Sequence, residues 1–416
     1  MSRKRFPKTL PVLTVLVAAV LALAVAACGD DGASAGGGSD PVKIGLVVHK
    51  TGPYADTGRM SSIGARLAVD EINAAGGIKS LGGAKIELVE EDAGPQLERA
   101  ATAINRALGE DIVAGIGTGI SSSTVAGTEL AERRQIPWIT VSFDDTITDR
   151  GFKFVFATSP KTSEFTNLWA QAISELSASD GKKITRVAII QGTNIVAVNA
   201  AKAIREQYAK KYGWQIVLDQ TIEDGTLSDA TSIVNKIRST QPQLLLVGPT
   251  LPDMQKIARK EVELGLEPVP WVLSGAPYLS GAFLDALGEE GVNGTFAVAA
   301  SAVFKGQEDV AAKVRDKGDQ FPQQYHLVEY SHVYLLKEAI ERAKSREPQE
   351  IRDALAKLDV KGGPATQAWP SGRVRFDETG RAIDRTAVVV QWQDGKTQTV
   401  FPLDMAEQPA IWPNEA

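Results

Sequence analysis

The sequence predicts an α/β protein of two units, each a parallel sheet with helices on both faces. Three observations point there. Strand-like and helix-like stretches alternate from residue 42 onward, the order that packs helices over a parallel sheet. The rhythm restarts near residue 186. The roughly 375 residues beyond the N-terminal region exceed what one hydrophobic core usually serves. Taken in order, Lys43–Val48 is a short apolar run followed by the turn HKTGPYADTG. Met60, Ile63 and Leu67 then fall at helical spacing, and Gly76-Gly77 stops that helix. Lys85–Val89 reads as a strand, Ala100–Leu108 as a helix, Asp111–Ile116 as a strand, Ser122–Arg134 as a helix and Pro137–Val141 as a strand.

The second unit opens with a strand at Arg186–Ile190 and a helix at Asn194–Lys211, whose Ala197, Ala201, Ile204 and Tyr208 form one apolar stripe. Trp214–Leu218, Leu244–Val247 and Trp271–Leu273 read as strands with helices between them. No short exact repeat occurs, so these are two domains rather than a solenoid. The last part changes character. Gln324–Lys344 and 348–358 read as helices, and Arg373–Phe376, Thr386–Trp392 and Thr397–Val400 as β-structure around the hairpin signal Asp394-Gly395.

The N-terminus carries Arg3, Lys4, Arg5 and Lys8, then a nearly unbroken apolar run, Val12–Ala27. A membrane-spanning helix needs about 20 such residues. A basic start, an apolar middle and small residues at the end describe an export signal. Val25-Ala26-Ala27-Cys28 resembles the lipobox of bacterial lipoproteins, in which the cysteine thiol carries a lipid and becomes the new N-terminus. Cys28 is the only cysteine in 416 residues. An uncleaved anchor and an ordinary secretory signal are the other readings. With Cys28 lipidated, the mature chain has no disulfide and no thiolate chemistry. Residues 29–41, GDDGASAGGGSDP, are small and polar and read as a flexible tether. A domain tethered to the membrane outside the cytoplasm is expected.

Removing 1–27 moves the formal charge from −6 to −10. An acidic chain without a basic cluster is a poor nucleic-acid binder. A hydrolase needs a nucleophile, a base and an orienting group. Neither G-x-S-x-G nor H-E-x-x-H occurs. The chain holds three histidines, His49, His326 and His332, and they show no metal-ligand spacing. No enzyme, metal or cofactor is therefore expected.

One stretch singles itself out. GIGTGISSST, residues 115–124, follows the apolar Ile112-Val113-Ala114. Ligands of open parallel sheets sit at the carboxyl ends of strands, and this is such an end. Ser121 is placed to cap the following helix, whose first-turn N–H groups favour an anion. Gly115, Gly117 and Gly119 do not match G-x-G-x-x-G, and no G-x-x-x-x-G-K-[ST] occurs. A small carboxylate is the favoured occupant, and a serine-rich helix cap without ligand is the plain alternative.

IGLVVHKTGPYADTG at 44–58 and GARLAVDEINAAGG at 64–77 resemble the leucine/isoleucine/valine-binding proteins, the substrate-binding components of branched-chain amino-acid ABC importers. IELVEEDAG at 86–94, GIGTGISSST, IPWITVS at 136–142 and ITDRGFKFVFATSP at 147–160 match as well. So do YSHVYLLKEAIERA at 330–343, GRVRFDETG at 372–380 and the Trp-Pro close at 412–413. The resemblance covers nearly all of 42–413. It implies two Rossmann-like lobes with parallel sheets joined by a three-segment hinge, the periplasmic-binding-protein type I fold. Lobe 1 would comprise 42–159 and 301–380, and lobe 2 would comprise 160–300 and 381–416. The implied function is capture of an amino acid or related small polar solute between the lobes and delivery to an ABC permease with separate ATPase subunits. The chain would act as a monomer. A sensor working through a separate receptor is the alternative, as is a binder of an amide, urea, aromatic acid or polyol.

Carried over residue by residue, the resemblance puts the ligand carboxylate on Ser121 and backbone contacts at Ser142. Asp144 stands roughly where the amino-acid binders have a threonine, and it would accept from an ammonium or hydroxyls. Tyr54 would line the cleft. The second lobe departs from the pattern, because the loop Leu273-Ser274-Gly275-Ala276 lacks the acidic residue that holds the ammonium. Thr193, Asn194, Thr250, Ser274 and Tyr278 are the polar or amphipathic candidates there. Plainer readings stand beside these. Asp144 and Asp145 would cap a turn, Tyr54 would pack as core, and Tyr330 and Tyr334, four apart on a helix, read as core. His49 sits at a strand end facing the expected cleft.

Overall fold

A computed structural model describes residues 40–96, 99–266, 269–304, 307–384 and 386–412, all within one unit of the chain, Ser39–Ala416. The expected signal peptide, Cys28, nearly all of the tether, and Pro413 of the Trp-Pro close lie outside the described residues. Among those described, no helix is long and apolar enough to cross a membrane.

Two parallel sheets form the frame. The first holds β1 (Val42–Val48), β2 (Ile86–Asp92), β3 (Ala114–Gly117), β4 (Trp138–Thr140) and β5 (Val155–Ala157) in the order β2-β1-β3-β4-β5. In the second, β6 (Arg186–Gln191), β7 (Gln215–Thr221), β8 (Leu244–Gly248), β9 (Trp271–Ser274) and β10 (Phe296–Ala299) pair in the order β7-β6-β8-β9-β10. β11 (Asp359–Lys361) and β12 (Arg373–Arg375) make a separate antiparallel ribbon. The hairpin β13 (Val388–Gln393) and β14 (Lys396–Phe401) extends the second sheet antiparallel from β10, with Asp394-Gly395 at its turn as the sequence predicts. Central strands such as β8, LLLVG, are buried along their whole length, as strands covered on both faces must be.

Helices follow the strands as expected: α1 (Ala55–Ala74), α2 (Arg99–Ala107), α3 (Ser121–Arg134), α4 (Thr162–Ser179), α5 (Ile195–Ala203), α6 (Thr231–Thr240), α7 (Leu251–Glu263) and α8 (Gly281–Val292). After them come α9 (Glu308–Asp316), α10 (Gln324–Ala343) and α11 (Pro348–Ala356). α5 continues through one wide turn, Ile204–Tyr208, into Ala209–Tyr212, which together span the single helix read from sequence. β3 starts at Ala114 instead of Asp111 because Asp111 adopts φ 56°, a left-handed conformation that no strand continues. β5 and β10 carry no strand signal that sequence reading picked out. Short apolar runs such as Phe296-Ala-Val-Ala have no period that separates strand from helix.

The chain passes between the sheets three times. It leaves β5 for β6, and it returns after β10 to lay α10 along α1. It then touches the first sheet at Arg381, bridged to Ala157, before entering β13. α1 and α10 approach so closely at Gly64 that a Cβ there would sit 2.1 Å from the backbone oxygen of His326. Backbone cannot rotate away as a side chain can. Gly64→Ala is therefore expected to destabilise the protein by about 1–3 kcal/mol, read as a lower urea midpoint with an unchanged slope. A midpoint equal to wild type would mean that the two helices separate at little cost.

Candidate functional site

Both sheets have the same parallel order, with each unit's second strand outside its first. In such a sheet the order reverses between the first and third strands, and the loops leaving their carboxyl ends open a crevice. Four loops stand at these two reversals, following β1, β3, β6 and β8. All four line one cleft, through Tyr54, Ser121, Asn194 and Thr250 respectively. Asp56, Thr57, Ser274, Tyr278 and Tyr325 add to its polar side, and Phe143, Phe165, Val196 and Leu251 to its apolar side. The cavity volume is about 80 Å³. One water needs roughly 10–15 Å³, so the cleft takes several waters or one small solute.

The serine-rich turn divides its hydroxyls among different tasks. Ser121 does not cap α3; the N-cap is Ile120, and Ser121 is the first helical residue. Its Oγ accepts from the amides of Phe143 at 2.9 Å and Asp144 at 3.3 Å. Two donors occupy its lone pairs, so the hydroxyl proton is what Ser121 retains for a solute acceptor. Ser122 Oγ accepts from the Ile195 amide at 3.2 Å, across the cleft. Ser123 Oγ meets His49 Nε2 at 3.0 Å, and Thr124 Oγ1 meets Ser142 Oγ at 2.6 Å. The glycines serve packing. Gly117 has φ 101°, and a Cβ there would lie 2.2 Å from the Val47 oxygen. Gly119 has φ 78°, and a Cβ there would press on the Tyr325 ring at 3.2 Å.

Of the residues expected from sequence, Ser121, Tyr54, Asn194, Thr250, Ser274 and Tyr278 are brought together on the cleft. Tyr54 donates to Asp224 Oδ2 at 2.5 Å. Asn194 caps α5, accepting from the Ala197 amide at 3.0 Å. Thr250 donates to Asp253 Oδ2 at 2.7 Å, and Asp253 also holds the Gly225 and Leu227 amides. Tyr278 donates to the Pro249 carbonyl. Ser274 Oγ is buried with no hydrogen-bond partner among the described residues.

Others lie off the cleft lining. Ser142 is fully buried, its hydroxyl held by Thr124 and Thr140 and its carbonyl by Ser159. Asp144 turns its carboxylate to the Thr146 amide and hydroxyl and to Asn199 Nδ2 at 3.2 Å, which is the turn-capping alternative with a second partner added. Thr193 is engaged with Asp224. His49 is buried between the Gly94 carbonyl, at 2.7 Å, and Ser123. Burial pushes its pKa down, against the opposing pull of Gly94 and Asp92. Tyr330 and Tyr334 both donate to Glu71 Oε2 where α10 meets α1.

Sequence reading missed Tyr325, Asp56 and Asp224. Tyr325 opens a helix that was legible, but its approach to the β3 turn depends on the return crossing. Asp56 lines the cleft, and its Oδ2 is buried without a partner among the described residues, while Oδ1 takes Arg59 at 2.8 Å. No lysine, arginine or histidine is among the described residues that line the cleft. Burial pushes the phenols of Tyr54, Tyr278 and Tyr325 far up, so all three remain neutral donors. The described residues contain no group of three or more His, Cys, Asp or Glu side chains placed to hold a metal ion. The arrangement can hold a small molecule by hydroxyls, amide dipoles and carboxylate oxygens around an apolar wall.

Comparison with known proteins agrees with the two-lobed α/β fold. The sequence model of the family described as periplasmic binding protein matches residues 41–397. The Leu/Ile/Val-binding protein homolog 7 of Brucella suis is 28% identical over 396 residues, covering 92% of this chain and 96% of that protein. The branched-chain amino acid transporter substrate binding protein LivJ of Streptococcus pneumoniae, solved with isoleucine, superposes with a TM-score of 0.74 at 23% identity, over 86% of this chain and 97% of that one. An ABC transporter substrate-binding protein from Desulfitobacterium hafniense, solved with Leu, gives 0.66 at 23% identity, over 86% and 99%. At such identity the two structures speak to fold alone.

The cleft wall at Asp56 is fastened by charge. Arg59 bridges Asp56 Oδ1 and Asp319 Oδ2, each at 2.8 Å, and His326 Nε2 meets the same Asp319 oxygen at 3.1 Å. Burial would raise the Asp319 carboxyl, but the close approach of His326 and Arg59 outweighs it and holds it down at about 2. A carboxyl depressed in the folded state stabilises fully above its unfolded value near 4, and the benefit disappears as pH falls toward 2. Up to about 2 kcal/mol of stability is expected to be lost across that window. Asp319→Asn should flatten this part of the stability–pH curve, measured by urea denaturation at stepped pH. A slope identical to wild type would show that Asp319 is not held low.

Proposed function

The chain belongs to the periplasmic binding protein family, and we propose that it is the solute-binding component of an ABC importer, capturing a small aliphatic amino acid or a related carboxylate solute between its lobes. One observation carries the reading: Ser121, with both lone pairs occupied by amides, stands at the cleft with its proton free to donate. A solute carboxylate accepts that proton beside the first-turn N–H groups of α3, which have no intrahelical acceptors. The ammonium goes to the unpartnered Asp56 Oδ2 and the Ser274 hydroxyl. Asp144 does not take that role, because its carboxylate already serves Thr146 and Asn199. An aliphatic side chain lies against Phe143, Phe165, Val196 and Leu251, where burying it is worth about 1.5–3 kcal/mol. The Brucella suis relative, a Leu/Ile/Val-binding protein homolog, supports the same class of solute.

Solute binds the first-sheet lobe, and rotation about the three crossings brings the second lobe onto it. The closed form is favoured only as far as the solute binds it better than the open form. A lipid on Cys28 keeps the protein at the membrane surface, where the closed form delivers its solute to a separate permease.

A thermal-shift screen of the full chain tests the reading with L-leucine, L-isoleucine and L-valine against amides, aromatic acids and polyols. Solute at about 100 times its Kd adds roughly 2.7 kcal/mol of stability. Ser121→Ala is expected to weaken the hit by about 10- to 100-fold, the worth of one hydrogen bond to a charged group. Stabilisation by polyols or amides alone, or undiminished affinity in Ser121→Ala, would reject the assignment.

A further inference from the structure

Three polar links beside the cleft run between residues of the two lobes. Ile195 N donates to Ser122 Oγ, and Asn199 Nδ2 to Asp144 Oδ2, each at 3.2 Å from successive turns of α5. The third is shorter and charge-assisted: Tyr54, just before α1, donates to Asp224 Oδ2, beyond β7, at 2.5 Å.

Asp224 is built into its place. Its Oδ1 accepts from the Thr193 amide at 2.8 Å, and its own amide donates to Thr193 Oγ1 at 3.2 Å. Gly192 leaves room for it, since a Cβ there would stand 2.2 Å from Asp224 Oδ1. Gly192 is not among the glycines of positive φ, so clearance rather than backbone conformation calls for glycine there. The following residue also meets the opposite lobe, because a Cβ on Gly225 would lie 3.4 Å from Pro53. Asp224 itself is not among the residues lining the cleft, whereas Tyr54 is.

We propose that Asp224 is a positioning residue that clasps the lobes shut: preset by Thr193 and Gly192, it receives the Tyr54 hydroxyl when the cleft closes, fixing that ring as a wall of the solute site. It touches no solute. Its effect falls on how long the closed form persists, and so on solute release rather than capture. For solute retention this rests on the binding function proposed above; the clasp itself does not.

The test uses the full chain with Asp224→Asn, Tyr54→Phe and Gly192→Ala, the last of which keeps the carboxylate but displaces it. Hydrogen exchange in the absence of solute reads the Ile195 amide, whose bond crosses the cleft. All three variants are expected to speed its exchange several-fold and to leave the Val187–Ile190 amides of β6 at wild-type rates. Equal Ile195 rates in wild type, Asp224→Asn and Tyr54→Phe would overturn the clasp, as would faster exchange throughout β6, which marks a general loosening of the lobe. Stopped-flow release of L-leucine forms the second arm. Each variant is expected to release it about tenfold faster with unchanged association, and Asp224→Asn/Tyr54→Phe no faster than the worse single variant, because both remove the same bond. Multiplicative effects in the double variant would overturn the proposal. If L-leucine does not bind wild type, the functional reading fails on its own, and exchange at Ile195 still decides the clasp.

Discussion

The reversal of strand order, made twice, is the constraint on which the rest depends. In each sheet the chain begins at an inner strand, steps outward once and then winds the other way. Right-handed crossovers send the two series of helices to opposite faces, and nothing covers the point where they part. The loops after β1 and β3 meet there in one lobe, and the loops after β6 and β8 in the other. A cleft with four chemically different walls follows from topology before any side chain is chosen. The loop sequences then decide what it holds.

Those sequences are dense with hydroxyls because each has a different neighbour to satisfy. Ser121, Ser122, Ser123 and Thr124 are consecutive on the first turn of α3, so they point around the helix in turn. One braces the loop after β4, one reaches the other lobe, one orients His49, and one joins a buried chain of Thr118, Ser142 and Thr140. A buried hydroxyl without a partner costs free energy, and such mutual satisfaction keeps the turn in one conformation. Ser274 is the exception on the opposite wall.

The hinge is fastened by Arg381, whose side chain is fully buried. Its guanidinium donates to the Asp144 carbonyl at 2.8 Å, Thr148 Oγ1 at 3.0 Å, the Pro160 carbonyl at 3.2 Å and the Ser159 carbonyl at 3.3 Å. It thereby ties the third crossing to the first and to the loop that carries the Phe143 amide. Asp144 belongs to the same region, with its carbonyl on Arg381 and its carboxylate on Asn199 of the second lobe. A residue that the resemblance placed at the solute thus lies among the connections between crossings and lobes.

The alternation of strands and helices, the Gly-rich stops and the Asp394-Gly395 hairpin were readable because they arise from near neighbours in the chain, through backbone conformation and the period of apolar residues. Ser121 was readable as a site candidate for a related reason, since the carboxyl end of a parallel strand is a local feature that carries a fixed position in the fold, whereas Tyr54, Asn194 and Thr250 were named through the family resemblance. Tertiary structure alone decided which of two nearby polar residues faces the cleft. Ser142 and Asp144 follow a strand just as Ser121 does, yet their side chains turn to Thr124, Thr140, Thr146 and Asn199. It also decided that Tyr54 meets Asp224, 170 residues away in the chain. A carboxylate's partner is set by three-dimensional proximity and by competition among donors, and neither leaves a period in the sequence.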